Sequence, residues 1–256
     1  MDTHESLLFA DIGNSRIKLF KDGIKTPFHY KHTGFADNLA SYLTVEAFNR
    51  LVYSSVNANA ENILLSLCRN KKVYDFINIK ELLPHQTIID LRAVKGMGND
   101  RWLGMIGATA YSDPPLITVD CGTAITVNVL DYKYQVLGGA IFAGAYTQKN
   151  TLASISEKLG FPKFNFTPEG AGNDTPSAVS LGIIVGVAGG IKMIIEQIIQ
   201  HDKLKNPGIF FTGGYGGKIQ RILAKDFPES IYDENLIFRG MNKIYESTQP
   251  HIKNAL

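Results

Sequence analysis

Apolar positions along the chain recur with two periods. Leu7-Leu8-Phe9-Ala10 is a continuous apolar run that ends in the polar stretch Asp11-Ile12-Gly13-Asn14-Ser15. Ile17 and Leu19 then alternate with Arg16 and Lys18, up to the turn Lys21-Asp22-Gly23. This pattern predicts strand, Gly-containing turn and strand, joined as a hairpin. Residues 51–56 and 73–79 read as further strands. The spacing of Ile63, Leu64 and Leu67 predicts a helix over residues 59–69, capped by Asn57 or Asn59. Residues 100–111 read as a helix of small residues, which Asp113-Pro114-Pro115 stops. Strands that alternate with helices predict an α/β layer structure.

The layout then repeats. Leu116-Ile117-Thr118-Val119 is apolar and β-branched, and it ends in Asp120-Cys121-Gly122-Thr123. Residues 124–130 alternate, Asp131-Tyr132-Lys133 turns, and residues 134–137 lead to Gly138-Gly139. Asp120 lies 109 residues after Asp11. That spacing predicts two similar halves, because a solenoid would repeat every ~20–50 residues. The boundary is expected near Asp113-Pro114-Pro115, giving domains over residues 1–113 and 114–256.

In the second half, residues 147–159 read as helical, and a loop follows through Phe161-Pro162 and Pro168. Thr175 fits an N-cap with Pro176 at the first helical position, and the helix is expected to run to Gln200. Its apolar face is expected to include Leu181, Ile184, Val185, Ile191, Ile194, Ile195 and Ile198. Gly182, Gly186 and Gly190 smooth one side of it, suited to close packing on a sheet or to a subunit interface. Ile209-Phe210-Phe211 reads as a strand entering Thr212-Gly213-Gly214, with a helix over residues 217–223 after it.

Composition narrows the function classes. Hydrophobic residues are 45% and charged residues 20%, near the globular average, which excludes disorder and collagen-like structure. Lys and Arg number 26 against 24 Asp and Glu, and the basic residues are dispersed. No phosphate-tracking stripe exists, so nucleic acid is not an expected partner. No apolar run reaches ~18 uninterrupted residues, so no membrane-spanning helix is expected. Residues 1–6 are polar and acidic, without the basic flank and apolar core of a secretory signal. Cys68 and Cys121 lack CxxC spacing, which predicts reduced thiols and a cytoplasmic protein. His29 and His32 have no carboxylate or thiol at ligand spacing and are not expected to bind metal.

Four segments carry candidate chemistry. In the first, Gly13 opens a turn whose backbone N–H groups can cradle phosphate oxygens, and Asn14 and Ser15 add side-chain donors. Lys18 can face a phosphate, and Asp11 at the strand end can hold Mg²⁺ through water. Asp120-Cys121-Gly122-Thr123 supplies a second carboxylate and hydroxyl at an equivalent strand end. Thr212-Gly213-Gly214 would let backbone approach an adenosine closely. No G-x-x-x-x-G-K-[ST] occurs, so this is not a Walker P-loop. In the fourth segment, Gly98-Asn99-Asp100-Arg101 sets an acid and an arginine at a helix start. A helix N-terminus and Arg101 favour an ionised Asp100, able to orient a hydroxyl and accept its proton. Arg101 can pair with an anionic group as a bidentate fork.

The chain resembles the type III pantothenate kinases, within the actin, Hsp70 and sugar kinase superfamily. The matching segments are Asp11-Ile12-Gly13-Asn14-Ser15-Arg16-Ile17-Lys18, Gly98-Asn99-Asp100-Arg101, Asp120-Cys121-Gly122-Thr123-Ala124-Ile125-Thr126, Gly138-Gly139-Ala140-Ile141, Asp174-Thr175 with Gly182, and Thr212-Gly213-Gly214. The resemblance implies two similar ribonuclease H-like (actin-like ATPase) domains, each a mixed β-sheet flanked by helices, with an interdomain cleft. It implies ATP-dependent phosphorylation of the 4′-hydroxyl of pantothenate, the first step of coenzyme A synthesis. Asp11, Ile12, Gly13, Asn14, Ser15, Arg16, Ile17, Lys18 and Thr123 would bind ATP, and Asp100 would be the proton acceptor. Gly98, Asn99, Asp100 and Arg101 would bind pantothenate, joined by Thr175 of a neighbouring subunit in a homodimer. Asp120 would hold a monovalent cation, K⁺ or NH₄⁺, and Mg²⁺ would accompany ATP. Ala143 stands where the family carries Pro, and Asp90-Leu91-Arg92-Ala93-Val94-Lys95-Gly96 lacks the aromatic residue and Asn-Pro usual before Gly-x-Asp-Arg. The alternatives are a superfamily kinase for another hydroxyl, or a non-catalytic accessory protein of transcription.

Overall fold

The computed structural model describes residues 6–160 and 164–253. The polar residues 1–5 and the Phe161-Pro162 part of the predicted loop lie outside that range. By contacts the chain divides into two units. One comprises Met1–Ile88, Gly96–Gly107 and Asn235–Leu256, and the other Ile89–Lys95 and Ala108–Glu234.

The first unit is built on β1 (Leu7–Ile12), β2 (Arg16–Lys21), β3 (Ile24–His29), α1 (Phe35–Val45), β4 (Arg50–Ser55), α2 (Ala58–Asn70), β5 (Asp75–Asn78) and α3 (Ile79–Leu82). A 3-10 turn, Leu83–His85, and α4 (Asn99–Ala108) follow. Its sheet runs β3-β2-β1-β4-β5, with β1 antiparallel to β2 and parallel to β4. As the central strand, β1 is covered on both faces, which is why its sequence is an apolar run rather than an alternation. On one face Leu8, Ala10 and Ile12 meet Leu39 and Leu43 of α1 and Leu64 of α2. Asn57 caps α2 by accepting a hydrogen bond from the Ala60 N–H, one of the two caps expected.

The second unit repeats this plan. Its elements are β6 (Leu116–Cys121), β7 (Ala124–Leu130), β8 (Val136–Ala143), α5 (Ala145–Ile155), α6 (Thr175–His201), β9 (Gly208–Thr212), α7 (Gly216–Ile222) and β10 (Ile231–Tyr232), with a 3-10 turn at Glu157–Leu159. The sheet order β8-β7-β6-β9-β10 matches the first sheet strand for strand. The pairing senses match as well, with β6 antiparallel to β7 and parallel to β9. Two mixed sheets of one topology, each with flanking helices, are the fold class that the resemblance implied. Ile117, Val119, Ile125 and Val127 form a core with Ile184 and Ile191 of α6.

Several boundaries differ from the sequence expectation, each for a local reason. A single cut at residue 113 misses the last helix, α8 (Leu236–Lys253), which belongs to the first unit. There α4 and α8 cross in backbone contact. A Cβ on Gly107 would stand 2.0 Å from the Leu236 carbonyl oxygen, and one on Gly240 would stand 2.0 Å from that of Leu103. Phe238 of α8 also stacks on Phe20 of β2, with ring centroids 4.9 Å apart. Tyr111, just beyond α4, instead belongs to the second unit, where its hydroxyl donates to Asp233 at 3.0 Å.

The N-cap of α6 is Asp174, not Thr175. Asp174 accepts the Ser177 N–H at 2.7 Å, and the Ser177 hydroxyl accepts the Asp174 N–H at 3.2 Å. This reciprocal box places Thr175 inside the first turn. Val185, expected on the apolar core face of α6, is exposed, as are Gly182 and Gly186. The smooth side therefore does not pack on the sheet. An 18-residue window of α6 reaches mean hydropathy 2.1, long and apolar enough to cross a membrane. Clustered Gly and Lys192 interrupt the run, which kept it below the expected length, and the opposite face of the helix is core.

The α4–α8 crossing makes a prediction. Gly240→Ala forces the two backbones apart and is expected to cost about 1–3 kcal/mol. Urea unfolding should show a lowered midpoint with an unaltered slope, and an unchanged midpoint would contradict the crossing.

Candidate active site

Each unit carries a hairpin whose first strand delivers a carboxylate to the strand end. In the first unit, Asp11 is the fifth residue of β1 and pairs across the ladder with Lys18 of β2. The Lys18 ammonium lies 2.7 Å from Asp11 Oδ2, in a bridge that is largely sheltered from solvent. Lys18 is thus bound to Asp11, where the sequence alone placed it facing a phosphate. The Gly13 N–H donates to the Arg16 carbonyl at 3.0 Å and closes the turn, leaving Asn14 and Ser15 exposed at its tip. Ile12 and Ile17 are paired and fully buried. Of the expected ATP-binding set, these two can offer only backbone.

The Gly98–Arg101 segment lies in the same unit. Asp100 falls in the first turn of α4, and its Oδ1 accepts the Arg101 N–H at 2.9 Å. A Cβ on Gly98 would stand 2.7 Å from that same oxygen, so Gly98 makes room for the carboxylate. Asp100 keeps an exposed edge, yet its pKa is raised from the ordinary 3.8. Desolvation is the main cause, and the Asp11 carboxylate adds to it. The Arg101 N–H, Lys18 and the Arg101 guanidinium oppose the shift without reversing it. The helix-start N–H and Arg101, expected to favour the ionised form, do act in that direction. Removal of water and a second carboxylate outweigh them. Desolvation also lowers the Arg101 pKa, against the pull of Asp100.

In the second unit, Asp120 is the fifth residue of β6, in register with Thr126 of β7 and Thr212 of β9. The Gly122 N–H donates to the Ala124 carbonyl at 3.1 Å. This turn is one residue shorter than its counterpart between Gly13 and Arg16. Thr123 is exposed at its tip. The Thr123 carbonyl accepts the Gly144 N–H at 2.9 Å and the Thr147 hydroxyl at 2.6 Å, which tie the turn to the start of α5. The adjacent Ala145 N–H donates to the buried Tyr215 hydroxyl at 2.8 Å. Gly213 has φ +87°, and a Cβ there would stand 2.2 Å from Asp120 Oδ1. Gly213 therefore makes room for the Asp120 carboxylate and the Cys121 carbonyl.

The structure thus gathers Asp11, Lys18, Asp100 and Arg101 in one unit, and Asp120, Gly122, Thr123 and Gly213 in the other. Asn99 starts α4 beside them. Thr175 is exposed at the start of α6, and among the described residues no hydrogen bond links it to either group. Two tyrosines went unread in the sequence. Tyr215 supports the second turn. Tyr30, just after β3, donates from its hydroxyl to the Gly13 carbonyl at 2.7 Å. Neither carries a motif, and only the pairing of β2 with β3 would have brought Tyr30 to the turn. Among the described residues no group of three or more His, Cys, Asp or Glu could hold a metal ion. The His29 and His32 rings lie 5.0 Å apart between centroids, tilted by 35°.

A sequence-family model described as type III pantothenate kinase matches residues 7–197. A type III pantothenate kinase of Thermosipho africanus is 34% identical, covering 94% of this chain and 98% of that protein. One of Dichelobacter nodosus is 32% identical over 91% and 95%. Among solved structures, a Campylobacter jejuni protein titled a conserved putative Baf family transcriptional activator is 26% identical. It has a TM-score of 0.62, with 95% of this chain and 99% of that one covered. A putative 2-dehydro-3-deoxygalactonokinase of Sinorhizobium meliloti has a TM-score of 0.55 at 12% identity over 95% and 99%, a likeness of fold alone.

The environment of Asp100 predicts a stability effect with a definite sign. A carboxyl whose folded pKa is raised destabilises the fold when ionised, and the penalty vanishes below its unfolded value. Asp100→Asn should therefore melt at a higher temperature than the wild type at pH 7.5. The difference should shrink as pH falls towards ~4. A variant that melts lower at pH 7.5 and gains nothing from the higher pH would refute the raised pKa.

Proposed function

Because the chain belongs to the type III pantothenate kinase family, we propose that it transfers the γ-phosphoryl group of ATP to the 4′-hydroxyl of pantothenate. The observation that carries this reading is the Asp100 carboxyl, desolvated and pressed by Asp11 at the start of α4, beside Arg101. A raised pKa brings a weak carboxylate nearer to the strength of a useful base. Asp100 accepts the hydroxyl proton as the pantothenate oxygen bonds to the γ-phosphorus. The bond from that phosphorus to the β–γ bridging oxygen breaks, and ADP leaves. Arg101 pairs with the pantothenate carboxylate, and Gly98 and Asn99 complete that subsite. Phosphoryl transfer depends mostly on positioning and charge neutralisation, which suits a site with one modest base.

In the first unit the turn at Gly13, Asn14 and Ser15, flanked by Arg16, receives ATP phosphates. Thr123 is its counterpart in the second. Asp11 is one carboxylate already shared with Lys18. That fits Mg²⁺ arriving with the nucleotide and held through water, since Mg²⁺ uses one or two carboxylates plus substrate phosphates. Asp120, with Gly213 making room beside it, suits a monovalent cation. Bound cations would neutralise phosphate charge. The enzyme is a cytoplasmic homodimer in this reading. Its cysteines are free and buried, and the exposed side of α6 offers Gly182, Val185, Gly186 and Met193 to a second copy. Thr175, at the start of that helix, contacts pantothenate in the partner's site. The transcriptional-activator title of the Campylobacter jejuni structure keeps a binding role in view, but such a role has no use for a carboxyl raised above its ordinary pKa at Asp100.

Purified protein with ATP, Mg²⁺, K⁺ and pantothenate should release ADP only when pantothenate is present. Release with a different alcohol would reassign the substrate, and no release with any alcohol would end the kinase reading. Asp100→Asn should lower kcat by a factor on the order of 10²–10⁴, with ATP binding retained. A second prediction concerns the shared site. In heterodimers of Asp100→Asn and Thr175→Ala chains, a Thr175 acting in trans puts both lesions in one site and none in the other. Activity should partly return on subunit exchange, and verified exchange without recovery would disprove the trans role.

A further inference from the structure

Tyr30 grips the first turn from both ends of its own residue. Its hydroxyl donates to the Gly13 carbonyl at 2.7 Å, and its backbone N–H donates to the Ser15 carbonyl at 3.3 Å. Its ring is held edge-on against Phe35, with centroids 5.2 Å apart. A trans peptide is planar, so each carbonyl and the N–H that follows it point to opposite sides. Drawing the Gly13 and Ser15 carbonyls towards Tyr30 therefore turns the Asn14 and Arg16 N–H groups away from it. Backbone N–H groups of one turn that face away from its carbonyl partners can serve as donors to an anion.

We propose that Tyr30 is a positioning residue for nucleotide binding, fixing the turn so that the Asn14 and Arg16 amides face an incoming phosphate. This rests on the reading that the Gly13–Ser15 turn receives ATP. Tyr30 does not touch the reacting atoms. Its effect is to hold two peptide planes that would otherwise rotate, so that binding need not order them. Burial, with a smaller push from Asp11, raises the phenol to about 12, so it remains a donor throughout the neutral range. Asn14 and Ser15 lie exposed at the tip.

Tyr30→Phe keeps the ring and removes only the donor. The KM for ATP should rise about three- to tenfold, the scale of one hydrogen bond. The KM for pantothenate should hold and the melting temperature should stay near wild type, which a merely structural role would not produce. Asn14→Ala serves as the control on the turn itself. If Asn14→Ala weakens ATP and Tyr30→Phe does not, the turn binds phosphate and Tyr30 does not position it. If neither weakens ATP, the turn reading itself falls. A measurement on the wild-type protein covers the case of a variant that fails to fold. Amide exchange at Asn14 and Arg16 should slow when MgATP is added, and unchanged exchange at both under saturating ATP overturns the proposal.

Discussion

Two carboxylates in one unit, Asp11 and Asp100, are near enough for the charge on one to disfavour the charge on the other. The folded chain keeps this arrangement by neutralising one of them. Lys18 sits across the β1–β2 ladder from Asp11 and binds it, at a register position that only the hairpin could supply. Asp100 is left with the Arg101 N–H and a neighbour at Gly98 too small to displace it. The outcome is a base more willing to take a proton than an ordinary aspartate. A group held at such a disadvantage is expected where chemistry uses it.

The same geometric device serves the second unit with different chemistry. Asp120 occupies the strand position that Asp11 holds in the first, but its neighbours across the ladders are Thr126 and Thr212. No lysine stands opposite. Space for the carboxylate comes from Gly213, whose left-handed backbone a side chain would strain. Duplication has thus preserved the scaffold, a central strand ending in Asp followed by a tight turn, while the two carboxylates have acquired separate surroundings. One is paired with a lysine, and the other lies between two threonines beside Gly213.

Much of this was legible in the sequence because hairpins and their turns are local. The repeat of apolar run, Asp, Gly and alternating strand at Asp11 and Asp120 reflects two strands with one topology, and both appear where expected. What stayed hidden depends on distant partners. β10 is two residues long and exposed, too short to show a period. Residues 24–45 gave no pattern strong enough to mark β3 and α1, so Tyr30 went unread. α8 joins the first unit through Gly107 and Gly240, a contact between positions 133 residues apart. Asp174 outcompeted Thr175 as the cap because Ser177 reciprocates its hydrogen bond, a pairing that only the folded turn assembles. The raised pKa of Asp100 was hidden for a similar reason, since helix dipole and Arg101 are visible in sequence and desolvation is not.

The central claim is that surroundings, with Asp11 among them, push the Asp100 carboxyl above an ordinary aspartate. Carbon-detected NMR of the side-chain carboxyls, followed through an acid titration, reads this directly. The Asp100 resonance should titrate above 3.8 in the wild type, and its midpoint should drop in Asp11→Asn, where the opposing charge is gone and Lys18 is released. A midpoint at or below 3.8 in the wild type, or one indifferent to Asp11→Asn, would contradict the account.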